Sequence, residues 1–457
     1  MGAGKTTVGE QVAHRLGRRF VDVDEAIAQV HGPISELFAT QGEPAFRDVE
    51  ARFVREVLAR PEPAVIALGG GAVETSCLLP DDRAIVVHLP VDVETAWFRA
   101  RRSHRPLARD EAEFRRRFEL RAALYAEVAD ATALDGDDVV LAAAGVRVER
   151  GALQRLGDLV PGDGLVALVS DRNVAGIHGM DAQLALGARL AETHELQSGE
   201  EAKTLTAVDR LWQDLRLDRS GTIVALGGGC TTDAAGFAAA TYLRGIAWTP
   251  VPTSLVAQVD AAIGGKTAID LPQGKNLVGA FHWPARTIVD PAVLETLPDP
   301  QRLEGMAEVV KTGLLADEHF WELPDDELVR RCAAFKAAIC LRDPHERGER
   351  AILNLGHTFA HALEAAADYE GVTHGRAVAL GLLAALRLSS RDTHVVEEVL
   401  RPQPVRVDRD RAWQAMRRDK KGRGGMPLFV LLGANGPEQG VVLPEADVRR
   451  ELDRLIA

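Results

Sequence analysis

Thr222-Ile223-Val224-Ala225-Leu226-Gly227-Gly228-Gly229-Cys230-Thr231-Thr232-Asp233 is the stretch that decides the fold. An apolar run suited to a buried strand leads straight into three glycines, and a helix-compatible segment carrying hydroxyls and an acid follows. A strand ending in glycines lets a pyrophosphate approach the backbone at a helix N-terminus, where free N–H groups favour an anion. The spacing is not G-x-G-x-x-G, so alone it implies an α/β nucleotide site and nothing narrower. Residues 165–169 and 247–251 repeat the apolar strand pattern, each followed by a turn and a helical segment, as parallel sheets require.

Upstream, residues 64–68 and 84–89 read as buried parallel strands and 49–59 as a helix. The pattern weakens over residues 130–151, which places a junction near 140. Beyond Leu297-Pro298 strand-like runs give way to Ala/Leu/Arg/Glu stretches at 301–315, 349–367 and 375–388, read as an all-helical domain. Three segments result: 1–140, 141–298 and 299–457.

Net charge is −13, with acids and arginines interspersed, which argues against nucleic acid or an anionic membrane as partner. Cys77, Cys230, Cys332 and Cys340 form no CxxC pair, and no apolar run is long enough for a membrane span. A cytoplasmic enzyme is expected. The basic residues number 54, yet lysine occurs only at 5, 203, 266, 275, 311, 336, 420 and 421. In so arginine-rich a chain the lysines mark positions that need a compact ammonium, such as a phosphate or carboxylate contact.

Gly2-Ala3-Gly4-Lys5-Thr6-Thr7 is the second half of a phosphate loop: Gly2 and Gly4 cradle phosphate, Lys5 reaches it, and the Thr6 hydroxyl serves Mg²⁺ of MgATP. Asp22-Val23-Asp24, Gly42-Glu43-Pro44-Ala45-Phe46-Arg47 with Glu50, Gly69-Gly70-Gly71, Arg105-Pro106-Leu107 and Arg121 with Tyr125 follow in order. With these the segment resembles shikimate kinase. The resemblance implies a P-loop kinase-type parallel sheet that phosphorylates shikimate from ATP. Asp24, Arg47, Gly70, Gly71 and Arg121 would hold shikimate, and Arg105 would neutralise the transferring phosphoryl group. The family's first strand would lie ahead of Met1. The expectation is a start farther upstream; the alternative is a catalytically dead scaffold.

After the triple glycine come Tyr242-Leu243-Arg244-Gly245, Pro252-Thr253-Ser254, Asp260, Gly264-Gly265-Lys266-Thr267 and Gly274-Lys275-Asn276. Glu308 precedes Lys311, His357 and His361 share a helix face at i, i+4, and His374 adds a third imidazole. Thr358 stands where HExxH has its base, so a zinc protease is excluded, whereas two histidines and one carboxylate suit Zn²⁺ or a similar ion. From about residue 145 the chain resembles 3-dehydroquinate synthase. That family combines a Rossmann-like NAD domain with the helical metal domain, and it converts 3-deoxy-D-arabino-heptulosonate 7-phosphate to 3-dehydroquinate plus phosphate.

By that resemblance Glu308, His357 and His374 ligate Zn²⁺ or Co²⁺. Lys266, Asn276 and His361 hold the phosphate, with Arg244 from a second subunit of a homodimer. Lys336, Arg350 and Asn354 grip the carboxylate, and Asp260 and Lys311 meet hydroxyls. NAD⁺ lies across Gly227, Gly228 and Gly229 with Asp233, Thr253, Ser254 and Lys275, and its other end meets Asp171, Glu200 and Lys203. One of Lys420 and Lys421 matches a further phosphate contact. The rivals are an NAD- and metal-dependent polyol dehydrogenase, which has no need of these lysines, and a sugar-phosphate cyclase, which has no carboxylate for Lys336 and Arg350. Two departures stand out: Arg376 replaces the family's acid two residues after His374, and the stretch from Leu388 to Trp413 is short.

Overall fold

Two glycines shape the first turn of the chain. Gly2 and Gly4 have φ of 72° and 82°, a left-handed backbone that glycine adopts without strain, and from them the helix Lys5–Arg15 departs. The computed structural model describes residues 2–75, 84–102, 110–418 and 426–457. They form two compact units, Met1–Ala144 and Gly145–Ala457.

In the first unit β1 (Arg19–Asp22) pairs in parallel with β2 (Ala64–Ala67), and β3 (Val87–His88) with β4 (Ala131–Thr132). The two ladders do not join among the described residues. The helices Val23–His31 and Ile34–Leu58 connect β1 to β2 and bury Ile27, Leu37, Phe46 and Val54 together. The second of these begins well before residue 49 and bends at Gly42, where φ is 80°. The strand expected over 84–89 shrinks to two half-buried residues, and Ile85 is exposed, because a ladder this short offers little surface to cover it. The unit runs slightly past residue 140 because Arg15 of the first helix ion-pairs with Asp137 in the helix Gly136–Ala143.

The second unit contains, in order, β5 (Val146–Val148), β6 (Val166–Asp171), β7 (Leu190–Leu196), β8 (Thr222–Gly227), β9 (Ala247–Pro252), β10 (Lys266–Leu271), β11 (Gly274–Phe281) and β12 (Thr287–Val289). Four of them build a parallel sheet in the order β7-β6-β8-β9. Every residue of β6 and β8 is buried, as expected of central parallel strands covered on both faces. Ser170 pairs with Leu226, so Asp171 and Gly227 leave the sheet at the same edge, where the helix Gly229–Thr241 begins. β10 and β11 form an antiparallel hairpin beside this sheet, and β12 pairs with β5.

The helices Asp299–Ala316, Asp325–Arg342, His357–Ala366 and His374–Leu388 follow, with Val310, Ile339, Leu363, Val378 and Leu382 in one core. The segment 349–367 is not one helix. Glu349–Asn354 is a 3₁₀ turn, and Gly356 at φ 79° resets the direction before His357. Nor is the C-terminal part helical throughout: β13 (Phe429–Gly433) and β14 (Gly436–Val441) form a hairpin whose Phe429 packs on Phe359. Its glycines and polar residues concealed it in the sequence. No helix among the described residues is long and apolar enough to cross a membrane.

The His357 and His374 helices approach so closely that a Cβ on Gly381 would collide with the Gly356 carbonyl. Gly381→Ala should therefore lower stability by about 1–3 kcal/mol in chemical denaturation followed by far-UV circular dichroism.

Candidate active sites

Glu308 sits mid-helix in Asp299–Ala316, fully buried, and the ammonium of Lys311 one turn on pairs with it. Burial alone would raise the carboxyl pKa. Lys311 and His357 outweigh it and hold Glu308 well below the ordinary carboxylate range. Its Oε1 lies 3.4 Å from Nε2 of His357 and 3.2 Å from Nε2 of His374, each the first residue of its helix. The three ligating atoms fall within 4.8 Å of one another.

The donor set fits a cation such as Zn²⁺ or Co²⁺. Two ring nitrogens and one carboxylate oxygen converge, and the second nitrogens are already engaged: His357 Nδ1 with the Leu355 carbonyl at 3.1 Å, His374 Nδ1 with Glu364 at 3.4 Å. Burial favours a neutral His374, but hydrogen bonds to Glu308 and Glu364 lift its pKa to about 10. His361 stays outside this cluster, its ring 5.5 Å from that of His357. Arg376 turns away: its guanidinium donates to the carbonyls of Gln403 and Pro404.

A cavity of about 520 Å³ opens beside the triad, lined by Asp260, Lys266, Asn276, Lys311, Lys336, Arg350, Asn354 and His357 among others. Lys336 donates to the Asp260 carboxylate at 2.9 Å, and Lys311 stands 3.6 Å from it. Burial works to raise the Asp260 pKa, but these two ammonium groups bring it down to about 2. Lys311, also buried, is kept protonated by Asp260 and Glu308, its pKa raised despite desolvation. Burial instead lowers that of Lys266, in spite of its ion pair with Glu346. Glu346 also accepts from Asn354 at 3.1 Å. Arg350 is buried and donates to the Pro344 carbonyl. Arg244 does not line the cavity; it is exposed, with φ of 70°.

At the sheet edge, Asp171 accepts from the Thr231 and Ser198 hydroxyls, each at 3.1 Å, and caps the next turn. The Thr253 N–H donates to the Gly227 carbonyl, and Ser254 faces Gly228. Lys203 bridges Asp233 at 2.8 Å and Asn276 at 2.6 Å, while Lys275 pairs with Glu200 at 2.5 Å. Cys230 is no nucleophile here, because burial pushes its thiol up to about 12.

In the first unit Lys5 opens its helix, and the Thr6 hydroxyl donates to Asp22 at 2.7 Å. Arg47 pairs with buried Glu50 at 2.6 Å and with Glu43 at 3.0 Å, and Arg121, also buried, pairs with Glu74. Burial outweighs Arg47 and raises the Glu50 pKa. A Cβ on Gly69 would strike Glu50 and one on Gly71 would strike Arg47, so these glycines admit the charged cluster. Tyr125 donates to the Gly70 carbonyl at 2.6 Å, and Asp24 lies close enough to Glu50 to raise its pKa further. Arg105, Lys420 and Lys421 lie outside the described residues.

The sequence reading missed three acids, Glu364, Glu74 and Glu346. Glu364 continues the His357/His361 face by another turn, a spacing that could have revealed it. Glu74 and Glu346 carry no such signal. Glu346 turns toward Lys266 from a residue at φ 52°, which no spacing announces.

A parallel sheet with a glycine-ended strand, followed by helices bearing a Glu–His–His cluster beside a lysine-lined cavity, is the plan of an enzyme that handles small anions with a nucleotide and a metal. Residues 193–304 match the family described as 3-dehydroquinate synthase N-terminal, 305–422 match 3-dehydroquinate synthase C-terminal, and 1–145 match shikimate kinase. The 3-dehydroquinate synthase of Bordetella pertussis is 38% identical over 341 residues, covering 68% of this chain and 95% of that protein. That of Gloeobacter violaceus is 42% identical over 344 residues, covering 67% and 95%. A crystal structure of 2-deoxy-scyllo-inosose synthase complexed with carbaglucose-6-phosphate, NAD⁺ and Co²⁺ superposes with a TM-score of 0.59 at 28% identity, over 68% of this chain and 96% of that one. The chain belongs to the 3-dehydroquinate synthase family and carries a shikimate kinase segment fused ahead of it.

Since Glu364 orients His374, Glu364→Gln should weaken Zn²⁺ or Co²⁺ binding by roughly 10–100-fold in competition with a chelator. The Co²⁺ absorption spectrum should shift in the same variant.

Proposed function

We propose that the chain is a bifunctional enzyme of the shikimate pathway. Its C-terminal part converts 3-deoxy-D-arabino-heptulosonate 7-phosphate to 3-dehydroquinate and phosphate, and its N-terminal part transfers a phosphoryl group from ATP to shikimate. The observation that carries the first activity is the cavity itself: Lys266, Lys336 and Arg350 line it beside the Glu308–His357–His374 cluster, matching a substrate with a phosphate at one end and a carboxylate at the other. A sugar phosphate without a carboxylate leaves Lys336 and Arg350 unused, which sets this reading above that of the cyclase.

We assign the NAD⁺ site to residues 141–298 and the metal and substrate residues chiefly to 299–457, with 1–140 as the kinase. Gly227, Gly228, Gly229, Asp233, Thr253 and Ser254 receive NAD⁺, with Asp171, Glu200, Lys203 and Lys275 toward its far end. When bound, NAD⁺ supplies a reversible hydride acceptor and a Zn²⁺ or Co²⁺ ion polarises a substrate oxygen. Lys266, Asn276 and His361 take the phosphate, and Lys336, Arg350 and Asn354 the carboxylate. Asp260 is held ionised between two ammonium groups, able to accept a proton or a hydrogen bond from a hydroxyl. Before substrate arrives, Glu346 neutralises Lys266.

In the kinase part Gly2, Gly4 and Lys5 hold the ATP phosphates, and Thr6 with Asp22 serves Mg²⁺. Asp24, Arg47, Gly70, Gly71 and Arg121 bind shikimate, and Arg105 is the arginine proposed for the transferring phosphoryl group. Exposed Leu243 beside Arg244 and exposed Leu277 and Val278 on β11 are apolar side chains that a second copy would cover. Such a homodimer would bring Arg244 to the partner's phosphate site. A cytoplasmic location suits the substrates. A second reading is a kinase-like scaffold without activity, since the β1–β2 and β3–β4 ladders do not join among the described residues.

Two assays on the purified chain separate these readings: phosphate release from the heptulosonate phosphate, and shikimate-dependent ADP release. Lys311→Ala should lower the first by roughly 10²–10³-fold and leave the second intact, and Lys5→Ala should do the reverse. Stoichiometric NADH release would instead favour the polyol dehydrogenase. Absence of ADP release by folded protein would leave the scaffold reading.

A further inference from the structure

In the N-terminal unit the arginines assigned to the substrate acid are already gripping a carboxylate. Arg121 is buried, and its Nε and Nη2 donate to the two oxygens of Glu74 at 2.9 and 3.2 Å. Nη2 of Arg47 stands 3.8 Å from the same Glu74 oxygen. One carboxylate thus fills the fork of one arginine and faces a second, the geometry in which a guanidinium pair recognises a carboxylate. Arg47 has other partners in Glu50 and Glu43, whereas Arg121 ion-pairs among the described residues with Glu74 alone.

Glu74 reaches this position from the last residue of the single turn Ala72–Glu74, directly after the triple glycine. Its side chain is 34% exposed, against 2% for that of Arg121. The guanidinium is therefore buried while the carboxylate enters from the solvent side on a single short turn. The Nε–Nη2 edge of Arg121 holds one bidentate carboxylate at a time, so an acid arriving at that edge from the solvent side competes with Glu74 for it.

We propose that Glu74 is an internal competitor for the substrate carboxylate: it keeps buried Arg121 paired in the empty site and thereby sets the affinity for the incoming acid. This rests on the shikimate kinase reading and deepens it. An unpaired buried guanidinium is costly, so Glu74 stabilises the empty unit. The same contact lowers the fraction of molecules with an open fork, and the apparent dissociation constant rises by the inverse of that fraction.

The test is equilibrium titration of the full chain with shikimate, alongside thermal unfolding with and without ligand. Glu74→Gln keeps the size and removes the charge. It should bind shikimate roughly two- to tenfold more tightly, unfold at a lower temperature when empty, and show a larger stabilisation by shikimate. The methyl ester of shikimate, which carries no charge for Arg121, should gain nothing from the substitution. A merely structural role would lower the unfolding temperature without tightening binding, and that result would overturn the proposal. Should Glu74→Gln fail to fold, Glu74→Asp, whose carboxylate lies one methylene farther from Arg121, must show the same trends in smaller measure or the proposal falls. Wild-type chain that neither binds shikimate nor releases ADP would sink the kinase reading and this proposal with it. Wild-type binding without tightening in the variants would overturn the role of Glu74 alone.

Discussion

Glu308 and Lys311 form an ion pair inside the helical core, and the site is organised around keeping it satisfied. Burying two charges costs several kcal/mol per ion unless geometry and further hydrogen bonds offset it. Here each partner is engaged again. Lys311 faces Asp260, Asp260 is held by Lys336, and the other Glu308 oxygen faces His357 and His374. The chain of contacts runs from the turn after β9, through the helices Asp299–Ala316 and Asp325–Arg342, to the first residues of two more. Loss of Glu308 or Lys311 leaves the other's charge buried, with little water to solvate it. The same low dielectric that makes the pair expensive makes it effective on a substrate oxygen beside it.

A second constraint follows from collecting cations for an anionic ligand. Lys266, Lys336 and Arg350 line one cavity, and their mutual repulsion must be relieved while it is empty. Coulombic opposition from Arg350 and Lys336 contributes, after burial, to the lowered pKa of Lys266. The chain answers with its own acids: Glu346 on Lys266, Asp260 on Lys336, Asp233 on Lys203, Glu200 on Lys275. The N-terminal unit solves the same problem with Glu43, Glu50 and Glu74 around Arg47 and Arg121. In both units most of these cations are already paired with the chain's own acids, so under the proposed function ligand binding would exchange one anion for another.

The sequence disclosed the parts that rest on periodicity or glycine. The run from Thr222 to Gly229 became β8 and the turn into its helix because a doubly covered strand is apolar throughout and its end admits no side chain. Glu308, His357 and His374 were legible as one ligand set through the family resemblance, but the backbone geometry of their convergence was not. It depends on Gly356 breaking the segment 349–367 so that His357 opens a new helix, and on Gly381 and Gly356 letting two helices approach. Two of the acids that neutralise the cations, Glu346 beside Lys266 and Glu74 beside Arg121, were illegible for a simpler reason. Glu346 sits in an irregular turn and Glu74 on a single 3₁₀ turn, where spacing predicts no direction. The β13–β14 hairpin was lost because the buried apolar run of β13 is short and its partner β14, polar and glycine-containing, looks like loop.

The two departures from the family pattern turn out to be one feature. An arginine two residues after His374 would oppose a divalent cation if it pointed toward the triad, and a shortened stretch before Trp413 would leave backbone carbonyls without partners. The helix geometry resolves the first, since a residue at i+2 lies across the helix from residue i. The contacts resolve the second: Arg376 donates to the carbonyls of Gln403 and Pro404, inside that short stretch. A glutamate at 376 has no donor to offer those oxygens. The arginine and the short connection therefore belong together, and neither touches the residues that converge on the cation site.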